Sequence, residues 1–130
     1  MLRLSLLSLL VASSFAFGAD DPKAAARLET FNKEIKPMLE KSCLSCHGKD
    51  GKKAKGNFNA TTLEGIEKGG KDEGKGITWG DTEKSSLYHL SYLGATARNE
   101  DMAMPPKKDK KHEPLTTAQL ATIKAWIEAK

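Results

Sequence analysis

The chain has only two cysteines, and they stand three apart with a histidine directly behind: Cys43-Leu44-Ser45-Cys46-His47. On a helical turn, positions i, i+3 and i+4 share one face, so both thiols and the imidazole project the same way. Two thiols able to meet the two vinyl groups of a haem, beside an imidazole able to reach its iron, make C-x-x-C-H the signature of covalent c-type haem attachment. Three other uses of these residue types are weaker. A structural disulfide would close a very small loop and leave His47 without a role. A thioredoxin-like redox pair needs a strand–helix–strand setting, and no period-2 run here is long enough to supply it. A zinc site needs a fourth ligand, and no second C-x-x-C provides one.

A haem iron takes a second axial ligand or leaves that position open. The chain offers four methionines and, besides His47, two histidines. Met1 belongs to an N-terminal leader described below, and Met38 lies on the cysteine side. Met104 is the leading candidate, because Pro105 and Pro106 fix the backbone that must hold a thioether against a metal. Met102 is the substitute, one of the two methionines then serving as core filler. His89 reads as a core or partly exposed histidine on a helix, and His112 as a solvated loop residue among lysines.

The elements that must position these residues are helical. Leu28, Phe31, Ile35 and Leu39 recur at three and four residues and form one apolar stripe over a helix at 22–36. Pro37 fits the first turn of a second short helix, which runs from Met38 to about Cys46. Ten of the 11 glycines lie at or after Gly48, so 48–80 reads as loop, with Leu63 and Ile66 offering one helical turn. Asp81 or Thr82 is expected to cap a helix reaching about Leu93, burying Leu87 and Leu90 with Tyr88 and Tyr92 beside them. Residues 94–114 form a second loop. Thr116-Thr117-Ala118-Gln119 is a T-x-x-Q capping box that opens a last helix with Leu120, Ile123, Trp126 and Ile127 inside. Leu28, Phe31 and Ile35 are expected to meet Leu120, Ile123 and Trp126. Trp79 belongs in the core or beside the haem.

Residues 1–18 read as a signal peptide. Arg3 is followed by an apolar run through Leu6, Leu7, Leu9, Leu10 and Val11, then by Ser13, Ser14, Ala16, Gly18 and Ala19. The run falls short of the roughly 20 residues a membrane span needs, so no integral membrane segment is expected after cleavage; the other reading is an uncleaved anchor. Export predicts a periplasmic protein. Of the 20 basic residues beyond Gly18, 18 are lysines, and the whole chain carries +4 over 130 residues. With 38% hydrophobic and 29% charged residues, it makes one small domain with little core of its own. A staple, a metal or a large apolar cofactor would supply what the chain lacks.

Several segments together resemble a known family. Ile35-Lys36-Pro37-Met38-Leu39, Cys43 to Gly48, Lys68-Gly69-Gly70, Gly80 to Ser85, Met104-Pro105-Pro106 and Leu115-Thr116 with Ile123 and Trp126-Ile127 look like the planctomycete-type cytochrome c domain, over about residues 35–128. The resemblance implies a class I, all-α, cytochrome-c-like fold of about four to five short helices around one covalently bound haem. It divides the chain into the 1–18 signal peptide, a 19–34 N-terminal helix leading into the domain, and a 35–130 mono-haem cytochrome c domain. It implies haem c and its iron as cofactors, Cys43 and Cys46 as the attachment points, His47 as proximal ligand and Met104 as distal ligand. Relatives often carry Gly-Asp-Pro where this chain has Gly80-Asp81-Thr82, a change that matters to the start of one helix. Many relatives are joined to large enzyme-like domains; this chain is expected to stand alone, so no catalytic role carries over.

The expected function is a soluble one-electron carrier rather than an enzyme. A closed iron with histidine and methionine ligands exchanges electrons with little rearrangement, and the methionine raises its potential. The alternative is a haem-based sensor or ligand-binding module whose sixth position is open or labile. A peroxidase-like enzyme is weaker still, since no distal acid–base pair is evident. Lys49, Lys52, Lys53 and Lys55 follow His47, while Lys107, Lys108, Lys110 and Lys111 follow Met104. They are expected either to ring the haem edge and dock an acidic redox partner, or simply to be solvated loops. Nucleic-acid binding is not expected, because acids interrupt the lysines and no recognition motif is present.

Overall fold

A computed structural model of the chain describes residues 21–48 and 54–129. The expected signal peptide, and Lys49, Lys52 and Lys53 of the first lysine cluster, lie outside the described residues. Among the described residues the architecture is all-α, and the β pairing found is one isolated bridge between Thr78 and Asp81.

Helix α1 covers Pro22–Thr30, with Asp21 accepting the Lys23 N–H at 3.0 Å and Pro22 in the first turn. Phe31–Ile35 follows as a π-helical turn, closed by the Lys36 N–H on the Phe31 carbonyl, and α2 covers Lys36–Ser42. Pro37 therefore does not separate two helices, as the sequence suggested; the chain stays helical from Pro22 to Ser42. Proline lacks an N–H and crowds the carbonyl four residues back, and the wider π turn just before it relieves both problems. The real break comes at Cys43, where φ is −125° and a short α3, Leu44–His47, begins. With the run from Pro22 to Ser42 counted once, the described residues hold five helices, within the four to five expected.

The π turn also shifts the helical phase. Phe31, Ile35 and Leu39 are buried as expected, but Leu28 is 47% exposed and takes no part in the expected contact. Residues before a widened turn no longer continue the stripe that follows it. Helix α4 covers Leu63–Lys68 and is capped by Thr62, whose hydroxyl accepts the Gly65 N–H at 3.1 Å.

Helix α5, Ser86–Thr96, starts later than a cap at Asp81 or Thr82 would give. Asp81 Oδ1 instead accepts the Lys84 N–H at 3.1 Å and shapes a turn. The fully buried Ser85 hydroxyl fixes that turn by accepting the Thr78 N–H at 2.9 Å and donating to the Asp81 carbonyl at 2.8 Å. On α5, Leu87 is buried, whereas Tyr92 is 46% exposed and stacks on Tyr88 at 6.1 Å.

Helix α6, Thr117–Glu128, packs across the N-terminal helix. Leu120, Ile123, Trp126 and Ile127 are buried with Phe31, Ile35 and Leu39 in one cluster. Trp126 stacks on Phe31 at 6.2 Å and donates its indole N–H to the Arg27 carbonyl at 3.2 Å. Trp79 meets Trp126 edge-on at 5.0 Å and donates to Glu67 Oε1 at 2.8 Å, so it belongs to this core. Among the described residues no helix is long and apolar enough to cross a membrane.

The capping box forms as its residues require: Gln119 N–H donates to Thr116 Oγ1 at 3.2 Å, and Thr116 N–H donates to Gln119 Oε1 at 2.8 Å. Thr116→Ala should lower stability by about 1 kcal/mol, read as a shifted denaturant midpoint with an unchanged slope.

Candidate functional site

The thiol turn is built by backbone hydrogen bonds that bring three side chains to one face. Cys43 N–H donates to the Leu39 carbonyl at 2.8 Å, and the Cys46 and His47 N–H groups both reach the Cys43 carbonyl, at 3.2 and 3.0 Å. The His47 carbonyl in turn accepts the Ala60 N–H at 2.8 Å, which ties the turn to the loop behind it. A Cβ at Gly48 would stand 2.5 Å from the Leu44 carbonyl oxygen, so only glycine leaves the turn at this angle. The two cysteines are not joined to each other as a disulfide.

Cys43, Cys46 and His47 form one wall of a cavity of about 930 Å³. That volume lies at the upper end of the roughly 300–1,000 Å³ usual for small-molecule sites. Phe58 lies beside them, its ring edge-on to the imidazole at 5.2 Å. Leu87, Leu90 and Ser91 of α5 also line it, as do Met104 and Pro106 on the following loop. The structure therefore brings together all four residues expected to hold the cofactor. Met102 is absent from the lining and is 44% exposed.

Burial pushes the His47 imidazole toward its neutral form, while the backbone of Lys55 and Phe58 pulls weakly the other way. Its Nδ1 is shut off from solvent and has no hydrogen-bond partner among the described residues. The ring thus turns Nδ1 into the protein, which leaves Nε2 as the nitrogen that can serve the cavity. Burial, reinforced by the neighbouring Cys46, pushes the Cys43 thiol up to about 12. A neutral imidazole, two thiols and a thioether around a large, mostly apolar space form a donor set that suits an iron porphyrin. Among the described residues no three His, Cys, Asp or Glu side chains converge as a zinc site would require.

Met104 is positioned by α5. Its N–H donates to the Leu90 carbonyl at 3.0 Å, and the buried Gly94 lies directly behind its peptide. A Cβ on Gly94 would fall 1.9 Å from the Met104 carbonyl oxygen. Ala103 and Pro105 on either side are buried, and the Met104–Pro105 peptide is cis.

The loop after Met104 differs most from its sequence reading. His112 is not a solvated loop residue: its side chain is only 13% exposed and is held between Asp109 and Ser45. Arg98 donates from Nη2 to the carbonyls of Asp109 at 2.7 Å and His112 at 2.9 Å. Sequence reasoning missed Gly94, Arg98, Asp109 and Phe58. Arg98 alone left a trace there, as one of two arginines beyond residue 18 in a chain whose other basic residues are all lysines.

The hydrogen bond from His112, followed by the Lys111 backbone N–H, pulls the Asp109 carboxyl down to about 2, from an ordinary value near 3.8. A depressed carboxyl stabilises the fold above its unfolded value, and that contribution is lost as pH falls through about 2. Asp109 should therefore titrate near 2 by NMR, and His112→Ala should return it toward 3.8. His89 is exposed on α5, away from the cavity.

The cavity rim carries both signs of charge. Lys55, Lys107, Lys108 and Lys110 border it, and so do Asp72, Glu73, Glu100, Asp101 and Asp109. Of the described lysines of the two clusters, all but Lys111 reach the rim, interleaved with acids.

A protein-family model described as Planctomycete cytochrome C matches residues 43–108, from the first cysteine through the proline pair and into the lysine-rich loop. No curated protein and no solved structure gives a match.

Proposed function

Because the chain belongs to the planctomycete cytochrome c family, we propose that it is a one-electron carrier holding a single covalent haem c between His47 and Met104. The observation that carries this reading is one mostly apolar cavity lined by Cys43, Cys46 and His47 and also by Met104. Bound haem supplies reversible one-electron chemistry at its iron.

The chain's own residues do the rest. Cys43 and Cys46 hold the group covalently, and His47 offers Nε2 because Nδ1 is enclosed by protein. Met104 offers a soft thioether, which favours the reduced iron over what a second imidazole would give. Leu87, Leu90 and Phe58 line the cavity and would keep water from the group. Such a closed site suits electron exchange, which needs no open position for substrate. Lys55, Lys107, Lys108 and Lys110 lie on the rim, where they would steer an acidic redox partner and make association sensitive to salt. The apolar leader at residues 1–18 supports export and a periplasmic site of action.

Optical spectra of the exported protein, oxidised and then reduced, test the reading. Expected are a haem that survives acid–acetone extraction, the weak far-red methionine-to-iron band in the oxidised form, and no carbon monoxide binding on reduction. Covalent haem without that band and with ready carbon monoxide binding would make the protein a sensor. Protein exported and matured in a host with intact haem-attachment machinery, yet lacking haem, would overturn both.

A further inference from the structure

Asp109, His112 and Ser45 form one hydrogen-bonded chain that joins the loop after Met104 to the thiol turn. Asp109 Oδ2 lies 2.8 Å from His112 Nδ1, and His112 Nε2 lies 2.8 Å from Ser45 Oγ. An ionised carboxylate only accepts, so the Nδ1 proton belongs to the imidazole and the Nε2 of a neutral ring accepts from the Ser45 hydroxyl. A protonated ring donates at both positions, and Ser45 then accepts; the chain survives either state.

Each end is anchored. Ser45 sits between the two thiols of the attachment turn. Asp109 Oδ1 accepts the N–H groups of Lys111 at 2.9 Å and His112 at 3.1 Å, so residues 109–112 close on themselves as a compact unit. Arg98 clasps that unit from behind through the Asp109 and His112 carbonyls. The segment carrying Met104 is thus held twice: upstream by the Leu90 carbonyl, and downstream by a bridge back to the thiol turn.

We infer that Asp109, His112 and Ser45 are positioning residues, a latch that holds the loop after Met104 against the attachment turn and so keeps the methionine at its post. The inference rests on the reading of Met104 as the distal ligand. A loop tied at both ends has few conformations in which its thioether leaves the site; one tied only upstream has many. A net hydrogen bond of about 1 kcal/mol corresponds to a roughly fivefold change in the open population.

The test uses full-length haem-loaded protein and the variants Ser45→Ala, Ser45→Thr and His112→Ala. Ser45 is exposed, so its replacement leaves the packed core untouched. Cyanide binding to oxidised protein must wait for the methionine to leave; Ser45→Ala and His112→Ala should bind it about fivefold to tenfold faster. Hydrogen exchange at the Lys111 and His112 amides should quicken in the same variants, and Ser45→Thr, which keeps the hydroxyl, should restore both readouts. Unchanged exchange in Ser45→Ala and His112→Ala would overturn the latch. Covalent labelling of Ser45 by a fluorophosphonate, lost in His112→Ala, would also overturn it, since the serine would then be a nucleophile. If the wild-type far-red band proves independent of Met104, the ligand reading fails instead, and amide exchange still decides whether the latch exists.

Discussion

Met104→Ala is expected to abolish the far-red methionine-to-iron band and to let the reduced protein bind carbon monoxide, while Met102→Ala leaves both readouts as in the wild type. The two methionines are separated by a single residue, so the contrast is a sharp one. Met104 lines the cavity, and its backbone is held to α5; Met102 is absent from the lining. Alanine at 104 removes the thioether but leaves Pro105 and Pro106 to shape the loop, so covalent attachment at Cys43 and Cys46 should persist. Axial ligands move haem potentials over a span of about 0.8 V, and loss of the sulfur should lower the midpoint by about 0.1 V or more. Potentiometry on both variants checks the magnitude. A Met102→Ala protein that lost the band while Met104→Ala kept it would transfer the assignment to the other methionine.

Gly94→Ala should be almost as damaging, although it adds a single methyl group and removes no ligand atom. The new Cβ would lie 1.9 Å from the Met104 carbonyl oxygen and 2.5 Å from its carbonyl carbon. Those are backbone atoms, locked by the buried Ala103 and Pro105, so no side chain can swing aside to relieve the clash. Either α5 or the Met104 segment must move by an ångström or more. Overpacking of this kind costs about 3 kcal/mol, at the upper end of its usual range. The expected outcome is a lower melting temperature together with a bleached far-red band, because the segment displaced is the one that presents the thioether. Gly74 is the control. It has no atom within 4 Å of a built Cβ and does not line the cavity, so Gly74→Asn, a residue that tolerates its positive φ of 71°, should leave the spectrum intact.

Some of the molecule was legible before any fold was known. The thiol turn could be read because i, i+3, i+4 geometry is local: Cys43, Cys46 and His47 share a face whatever surrounds them. The same holds for the capping box at Thr116 and Gln119, whose two hydrogen bonds span a single turn. The buried stripe of α6 was legible for a similar reason, since its period runs unbroken from Leu120 to Ile127. The stripe of α1 was misread at Leu28, because a π turn changes the phase and no residue type announces one beyond the nearby Pro37.

Sequence by itself determined the helical class and which residues are candidates for the site. These follow from residue types and spacings within one or two turns, where covalent geometry alone fixes the outcome. Only the tertiary structure decided that Met104 and not Met102 lines the cavity, that Gly94 makes room for it, and that His112 bridges Asp109 to Ser45. Ser45 and His112 are 67 residues apart. Contacts over that distance depend on how whole helices pack, and packing is the summed result of every buried side chain, which no local pattern encodes.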